Sequence, residues 1–509
     1  MSDERVAQIL RSDAPLVAIE AAAGCGKTHQ GADYARDWSN VSQAGRILIL
    51  THTHAACDVF SARTQGVKSK VEITTIDGLI AQIARAYHSS LGIPLDAARW
   101  AALQRPDGYD QLAEKVSAYV ERHPVIAASL SRQYPTIVCD EHQDCTESRH
   151  RLIMAIHRQG TRLRIFADPM QRIYGDRSSN AVTADLDRWA NLKSQGATDV
   201  LDTPHRWVTQ GVGDLGEWVV RARRTLHEGG QIDLTRDRPD EVSVIAASNI
   251  AEARRQLRVR DRGPIDAVVN VRDPLMVLAP TNDGGAAMRT FWNRTLPIWE
   301  GHQRPALTDL VDSLDDNTDD AHAIGEAVVR FLQSVGVGFA DRSHADRFRA
   351  EIAENCATAP RGPKPRNLQS LARIICENPN HLGVAGALRA LRTLVRENAA
   401  GFETVKIDMI NEYSEAERLD AFADFDTAHE ELARRRTRSR RVPPRKCIST
   451  IHKAKGLECD HVMLVVNRVN DLSGTLYSRN RLYVGLSRAR RSLTIVVPDV
   501  ADTAVLKIR

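Results

Sequence analysis

Short apolar runs rich in β-branched residues recur along the chain, at 16–20, 46–51, 136–140, 163–167, 275–279, 447–450, 461–466 and 493–497. Runs of this length between turn residues predict buried parallel strands. Stretches with helical periodicity lie between many of them, and that alternation predicts an α/β architecture with parallel sheets. Two blocks break the pattern. Residues 80–133 carry helical spacing without a strong strand signal. Residues 291–440 are also mainly helical, with an acidic patch at 312–320 and a Pro- and Gly-punctuated stretch at 359–366. Each reads as a helical insertion in an α/β domain.

At 509 residues the chain exceeds one core and predicts two to four domains. Hydrophobic residues at 42% and charged residues at 26% fit a soluble globular protein. No apolar run approaches a membrane span, and the start, Met1-Ser2-Asp3-Glu4-Arg5, is not a signal region. No membrane partner and a cytoplasmic location are expected. The eight cysteines form no Cys-x-x-Cys pair, so neither a zinc ribbon nor a disulfide framework is indicated. A net charge of +4 permits a nucleic-acid partner without arguing for one, because a basic footprint must be local to count. One local run exists at 434–446, either a solvated connector or a phosphate-contacting segment.

Candidate chemistry begins after the first strand. Ala21-Ala22-Ala23-Gly24-Cys25-Gly26-Lys27-Thr28 matches a phosphate loop, except that Ala21 replaces the first Gly. Gly24 and Gly26 let backbone N–H groups turn toward phosphate oxygens, Lys27 suits the β- and γ-phosphates, and the Thr28 hydroxyl suits Mg²⁺. Ala22, Ala23 and Cys25 complete the cradle. Thr136-Ile137-Val138-Cys139-Asp140-Glu141 delivers two carboxylates at a strand end. Asp140 suits Mg²⁺ and Glu141 suits proton abstraction from an attacking water.

Asp140-Glu141-His142-Gln143-Asp144, together with the Ala-x-x-Gly-x-Gly-Lys-Thr loop, resembles the UvrD/Rep/PcrA branch of superfamily 1 helicases. Other strings follow in that family's order: Thr51-His52-Thr53-His54, Thr75-Ile76-Asp77-Gly78-Leu79, the stretch from Ala167 through Gln171 to Tyr174, Leu201-Asp202-Thr203-Pro204-His205-Arg206, Thr450 through His452 to Glu458, and Tyr483 through Arg488.

The resemblance implies two RecA-like parallel-sheet domains, each with a helical insertion. The implied segments are 1–79 and 134–200 for the first domain around insertion 80–133, and 201–290 and 441–509 for the second around insertion 291–440. It further implies ATP and Mg²⁺ as cofactors and single-stranded or end-bearing DNA as partner, with RNA left open. Gln171 would sense the γ-phosphate, Arg206 and Arg488 would reach across from the second domain as arginine fingers, Glu458 would contact the nucleotide, and Gln8 would read adenine. His52, Thr75, Tyr174, Arg177, Thr450 and His452 fall at DNA-contacting positions.

Some positions depart from the family pattern. His52 stands where an aromatic is usual, and Asp176 where a Trp or Phe is usual. Base stacking on such aromatics is worth roughly 1–3 kcal/mol per base, so weaker or differently organised strand binding is expected. His29 and His205 replace the usual Arg and Tyr around adenine, and are either base-stacking imidazoles or ordinary surface histidines. The compact size resembles helicase-like subunits of bacterial anti-phage systems such as Gabija, which work beside a nuclease. Two functions therefore stand: a 3′-to-5′ DNA helicase or translocase, and a DNA-sensing NTPase that signals to a nuclease partner.

Overall fold

The computed structural model describes residues 2–41, 44–104, 107–175, 178–236, 238–248, 257, 261–301, 304–425, 427–428, 442–499 and 502–508. It divides into two units, Met1–Asn293 with Thr450–Arg509, and Arg294–Ser449.

In the first unit six parallel strands, β1 (Leu16–Ala21), β2 (Ile47–Thr51), β3 (Val71–Thr75), β4 (Thr136–Cys139), β5 (Arg162–Ala167) and β6 (Ala197–Leu201), form a sheet in the order β3-β2-β4-β5-β1-β6. A parallel sheet is covered on both faces, which is why its central strands are apolar throughout. Side-chain alternation sends Leu16, Ala18, Leu48, Leu50, Ile137 and Leu163 into one core. It sends Val17, Ile19, Ile47, Ile49, Val138 and Phe166 into the other. The first core also takes Ile80 and Ile83 of the helix Ile76–Ala86, and Leu112 and Val116 of the helix Gly108–Arg122. Helices in the 80–133 block thus lie on the sheet and share its core, because an amphipathic stripe buries against the nearest apolar face.

The apolar pattern does not single out β3 and β6. Both are edge strands, and β6 alternates half-buried and exposed positions until Leu201. A strand that is half solvated carries too few apolar residues to stand out.

Four further parallel strands lie side by side in the first unit, in the order Leu275–Ala279, Cys459–Val465, Ala489–Pro498 and Val242–Ala247. The strand Ala489–Pro498 starts four residues earlier than its apolar run, because Arg490 pairs with Asp460 on the neighbouring strand and so tolerates the pairing. Val242–Ala247, another edge, also escapes the apolar pattern.

The second unit is largely helical, as 291–440 predicts. Pro305–Asp316, Ala321–Val335, Pro363–Glu377 and His381–Arg396 pack around Leu310, Val328, Phe331, Leu388 and Tyr413. The acidic patch ends in a cap: Asp320 accepts N–H bonds from His322 and Ala323 at 2.9 and 3.0 Å. In the punctuated stretch, Pro363 opens a helix, where its missing N–H costs nothing. Buried Arg304 meets buried Glu415 at 3.1 Å. Among the described residues no helix is long and apolar enough to cross a membrane. Of the basic run, residues 434–441 lie outside the described residues.

Candidate nucleotide site and strand-contacting residues

β1 runs directly into the phosphate loop. Gly24 and Gly26 adopt φ of +72° and +87°, which L side chains rarely adopt. A Cβ on Gly24 would sit 2.9 Å from both Arg206 Cβ and Trp207 Cζ3, and one on Gly26 would sit 3.3 Å from the His205 ring. The segment after β6 therefore lies directly over the loop. Backbone bonds fix it there: Ala22 N–H donates to Leu201 O at 3.3 Å and Arg206 N–H to Gly24 O at 3.1 Å. Burial pushes the Cys25 thiol up to about 12, so it stays protonated and serves as packing. Gly24→Ala combines a left-handed backbone, costing ~1–2 kcal/mol for a side-chain-bearing residue, with a clash against Trp207. We expect it to weaken nucleotide binding more than about tenfold and to lower the melting temperature, measured by fluorescent-nucleotide titration and thermal denaturation.

β4 delivers Asp140, whose N–H is held by Leu50 O at 2.9 Å. Glu141 follows with φ of +53°, which turns its carboxylate toward Lys27, 3.3 Å away. Lys27 Nζ also reaches Ala21 O at 3.4 Å. Burial and the neighbouring Glu141 charge push Asp140 up to about 7. Glu141 behaves oppositely. Burial would raise it, but Lys27, Lys455 and a hydrogen bond from Gln143 bring it down to about 2. The site thus holds one ionised base beside a lysine and one carboxyl short of positive charge. No group of three or more metal-ligating side chains occurs among the described residues. That suits Mg²⁺, which takes one or two protein oxygens and completes its shell with phosphates and water. Asp140 and Thr28 fit such a donor set.

The third carboxylate, Asp168, is fully buried. Its oxygens accept from Gln171 Nε2 at 2.8 Å, Tyr483 Oη at 3.2 Å and Arg223 Nε at 3.0 Å. Arg223 also grips Glu20 of β1 at 2.8 Å. Tyr483 lies on the helix Leu476–Leu486, just before the strand Ala489–Pro498. Its oxygen accepts the Ala23 N–H of the phosphate loop at 2.7 Å. From the same helix Asn480 donates to Pro169 O and Arg172 O at 3.2 and 3.0 Å.

Both candidate fingers converge here. Arg488 is buried and donates to Val484 O, Leu457 O and Ser487 Oγ, with Gln171 Oε1 3.4 Å away. Burial and the adjacent Arg206 charge lower it to about 10, still protonated at neutral pH. Arg206 donates to Ser487 O at 2.7 Å and pairs with Glu458. Its backbone, however, is bonded to the phosphate loop and follows β6 of the first sheet. Arg206 is thus held by its backbone at the phosphate loop, and its side chain reaches Ser487, just before the strand Ala489–Pro498. Lys455 meets both Asp144 oxygens at 2.6 Å and Gln171 O at 2.7 Å, 4.6 Å above the Tyr174 ring.

The adenine candidates are placed unevenly. His205 Nε2 meets Asp3 at 2.8 Å, beside Gly26. His29 is exposed and lies 3.2 Å from Asp33 and 3.1 Å from Arg63. Gln8 is exposed on the helix Ser2–Arg11 and makes no hydrogen bond to the loop among the described residues.

The strand-contacting candidates also divide. Tyr174 is exposed, and His452 packs edge-on against it at 4.7 Å. Thr450 Oγ1 accepts the Lys453 N–H at 3.2 Å. Thr75 caps the helix Ile76–Ala86 by accepting from Gly78 N–H at 3.0 Å, which is a folding role. His52 turns inward: its Nε2 lies 3.4 Å from the buried Cys145 thiol. Burial opposes its charge, yet Cys145 and Asp144 raise it to about 9. The ring is committed to that pair and is not offered as a stacking face. Asp176 and Arg177 lie outside the described residues.

Behind the site, His142 Nε2 and His150 Nδ1 are 3.1 Å apart. Burial and the neighbouring His142 hold His150 down to about 3, from an ordinary 6.5. Below 6.5 the unfolded chain takes up a proton that the folded chain refuses until about 3. Stability is therefore lost as pH falls through that window. His150→Asn should flatten the loss, as read from urea midpoints at pH 7 and pH 5.

The model of an AAA domain matches residues 4–177, which contain the phosphate loop, Asp140-Glu141 and Gln171. The model of a UvrD-like helicase C-terminal domain matches residues 446–496, which contain Glu458, Tyr483 and Arg488. The chain is a UvrD/Rep-like superfamily 1 helicase. No curated protein matches it. As a UvrD/Rep-like protein it is a phosphate-loop ATPase of a DNA helicase family, and the contacts among Ala23, Asp168, Gln171, Tyr483 and Arg488 join the two matched regions. The motif strings exposed most of this site. They gave no role to Tyr483, Asp168 or Lys455, although each stands inside a quoted motif, and no motif marks Arg223 or Glu20.

Proposed function

We propose that this UvrD/Rep-like protein hydrolyses ATP with Mg²⁺ between its two parallel sheets and uses the cycle to move 3′ to 5′ along single-stranded DNA and open duplexes. The observation that carries the reading is Arg206, bonded through its backbone to the loop that ends in Lys27 and through its side chain to Ser487, beside Arg488. Arg488 is lowered to about 10 because burial and a second guanidinium crowd it, and an anion placed beside the two guanidinium groups would relieve that crowding.

Bound ATP with Mg²⁺ supplies the phosphoryl group and partly neutralises its oxygens. Lys27 exchanges Glu141 for the terminal phosphates. Asp140 and Thr28 would hold the metal. Glu141, released from Lys27, takes the proton of the attacking water. Arg206 leaves Glu458 for the phosphates, and Arg488 joins it in stabilising charge spread over the transferred group. Gln171, which touches both Asp168 and Arg488, reports the phosphate state to the second sheet, and Glu458 is left to meet the nucleotide. His205 flanks the base, and His29 takes the other side. Tyr174, His452 and Thr450 contact the strand.

Forked and tailed duplexes test this. Unwinding of a 3′-tailed but not a 5′-tailed duplex, dependent on ATP, is the expected result, and unwinding of neither sinks the motor reading. His52 favours a second reading. With that ring held by Cys145, one usual strand contact is missing, as suits a DNA-sensing NTPase that activates a nuclease partner, for instance in an anti-phage complex. DNA-stimulated hydrolysis without unwinding is its signature. The eight cysteines are free, which accords with the cytoplasm as the place of action.

A further inference from the structure

We propose that Tyr483 is a positioning residue whose hydroxyl joins the phosphate loop to Gln171, so that DNA-dependent stimulation of ATP turnover passes through it. The inference rests on the ATPase reading above.

The geometry forms one continuous chain of hydrogen bonds, with donors converging on Asp168 from both ends. Ala23 N–H donates to Tyr483 Oη at 2.7 Å, and Tyr483 O–H donates to Asp168 Oδ2 at 3.2 Å. The same Asp168 oxygen accepts from Gln171 Nε2 at 2.8 Å. Gln171 Oε1 then faces Arg488 Nη2 at 3.4 Å. Three residues, Tyr483, Asp168 and Gln171, therefore connect a loop N–H to a finger guanidinium. A hydroxyl suits the joint because it accepts on one side and donates on the other. Burial and the Asp168 charge keep the phenol protonated, so the donor is never lost.

Asp168 is held against rotation by Arg223, which also grips Glu20 at the end of β1. The Met170 N–H adds a bond to Oδ1 at 3.2 Å. Tyr483, Asp168 and Ala23 are all buried, so water cannot substitute for a missing hydroxyl at little cost. Tyr483 belongs to the helix that leads into the second sheet, whereas Ala23, Asp168 and Gln171 follow strands of the first. A movement between the sheets that changes Tyr483 therefore moves the loop and Gln171 together.

Tyr483→Phe keeps the ring in its buried place and removes only the hydroxyl. The test measures ATP turnover with and without single-stranded DNA, on wild type and variant, together with the Kd of a fluorescent ATP analogue. The stimulated-to-basal ratio is expected to fall about tenfold while the analogue Kd stays within about threefold. A purely structural role lowers the melting temperature and the active fraction but leaves the ratio unchanged, and that outcome overturns the proposal. Arg223→Lys provides a second variant should Tyr483→Phe fail to fold. A lysine keeps the charge but cannot bond Glu20 and Asp168 as a fork, and its ratio should also fall. An unchanged ratio in that variant overturns the relay. If wild type shows no turnover with or without DNA, the ATPase reading falls and the relay with it, whereas basal turnover without stimulation, or a stimulated wild type with an unaffected variant, removes the relay alone.

Discussion

Glu141→Gln should abolish ATP turnover while leaving ATP bound. In the structure Glu141 is an ionised carboxylate, held at about 2 by Lys27 and Lys455 against the opposing effect of burial. Its ionised oxygen beside the loop lysine is what a water-deprotonating base requires, and a glutamine at that position accepts hydrogen bonds but takes no proton. Positioned bases contribute about 10²–10⁴-fold, so the loss should lie in that range. The substitution also removes the carboxylate that pairs with Lys27 at 3.3 Å, leaving the lysine free for phosphate, so nucleotide affinity should hold or rise. Phosphate-release kinetics and fluorescent-nucleotide titration read the two effects separately. A variant within tenfold of wild-type turnover would remove Glu141 from the role.

Arg488→Lys should cost as much or more, through charge placement. Arg488 is buried and makes bonds to Val484 O, Leu457 O and Ser487 Oγ. An alanine would leave these acceptors unpartnered and would confound catalysis with folding. Lysine keeps the charge and most of the volume, but presents one compact ammonium where a planar fork spans several acceptors. Arginine fingers are worth about 10³–10⁵ in kcat. Most of that should disappear in the lysine variant, with a melting temperature close to wild type. Retained turnover would mean that Arg206 alone supplies the finger.

The parts legible in the sequence are those whose chemistry is local. A strand followed by Gly24, Gly26, Lys27 and Thr28 is one continuous device, and so is a strand ending in Asp140-Glu141. Central strands were legible because both faces are apolar. β3, β6 and the strand Val242–Ala247 were not, because an edge strand carries a weaker apolar signal. Arg223 escaped for a different reason: its partners, Glu20 and Asp168, are remote in sequence, and only the fold brings them to one point. His52 shows the converse. Its motif position suggests a strand contact, yet Cys145, far along the chain, draws the ring inward.

The most direct measurement is steady-state ATP turnover by the wild-type chain with Mg²⁺, with and without single-stranded DNA. Turnover that requires Mg²⁺ and rises on adding DNA is the predicted result. Turnover indistinguishable from buffer under both conditions would contradict the account, because Lys27, Glu141, Arg206 and Arg488 would then stand together without doing the chemistry that their arrangement serves.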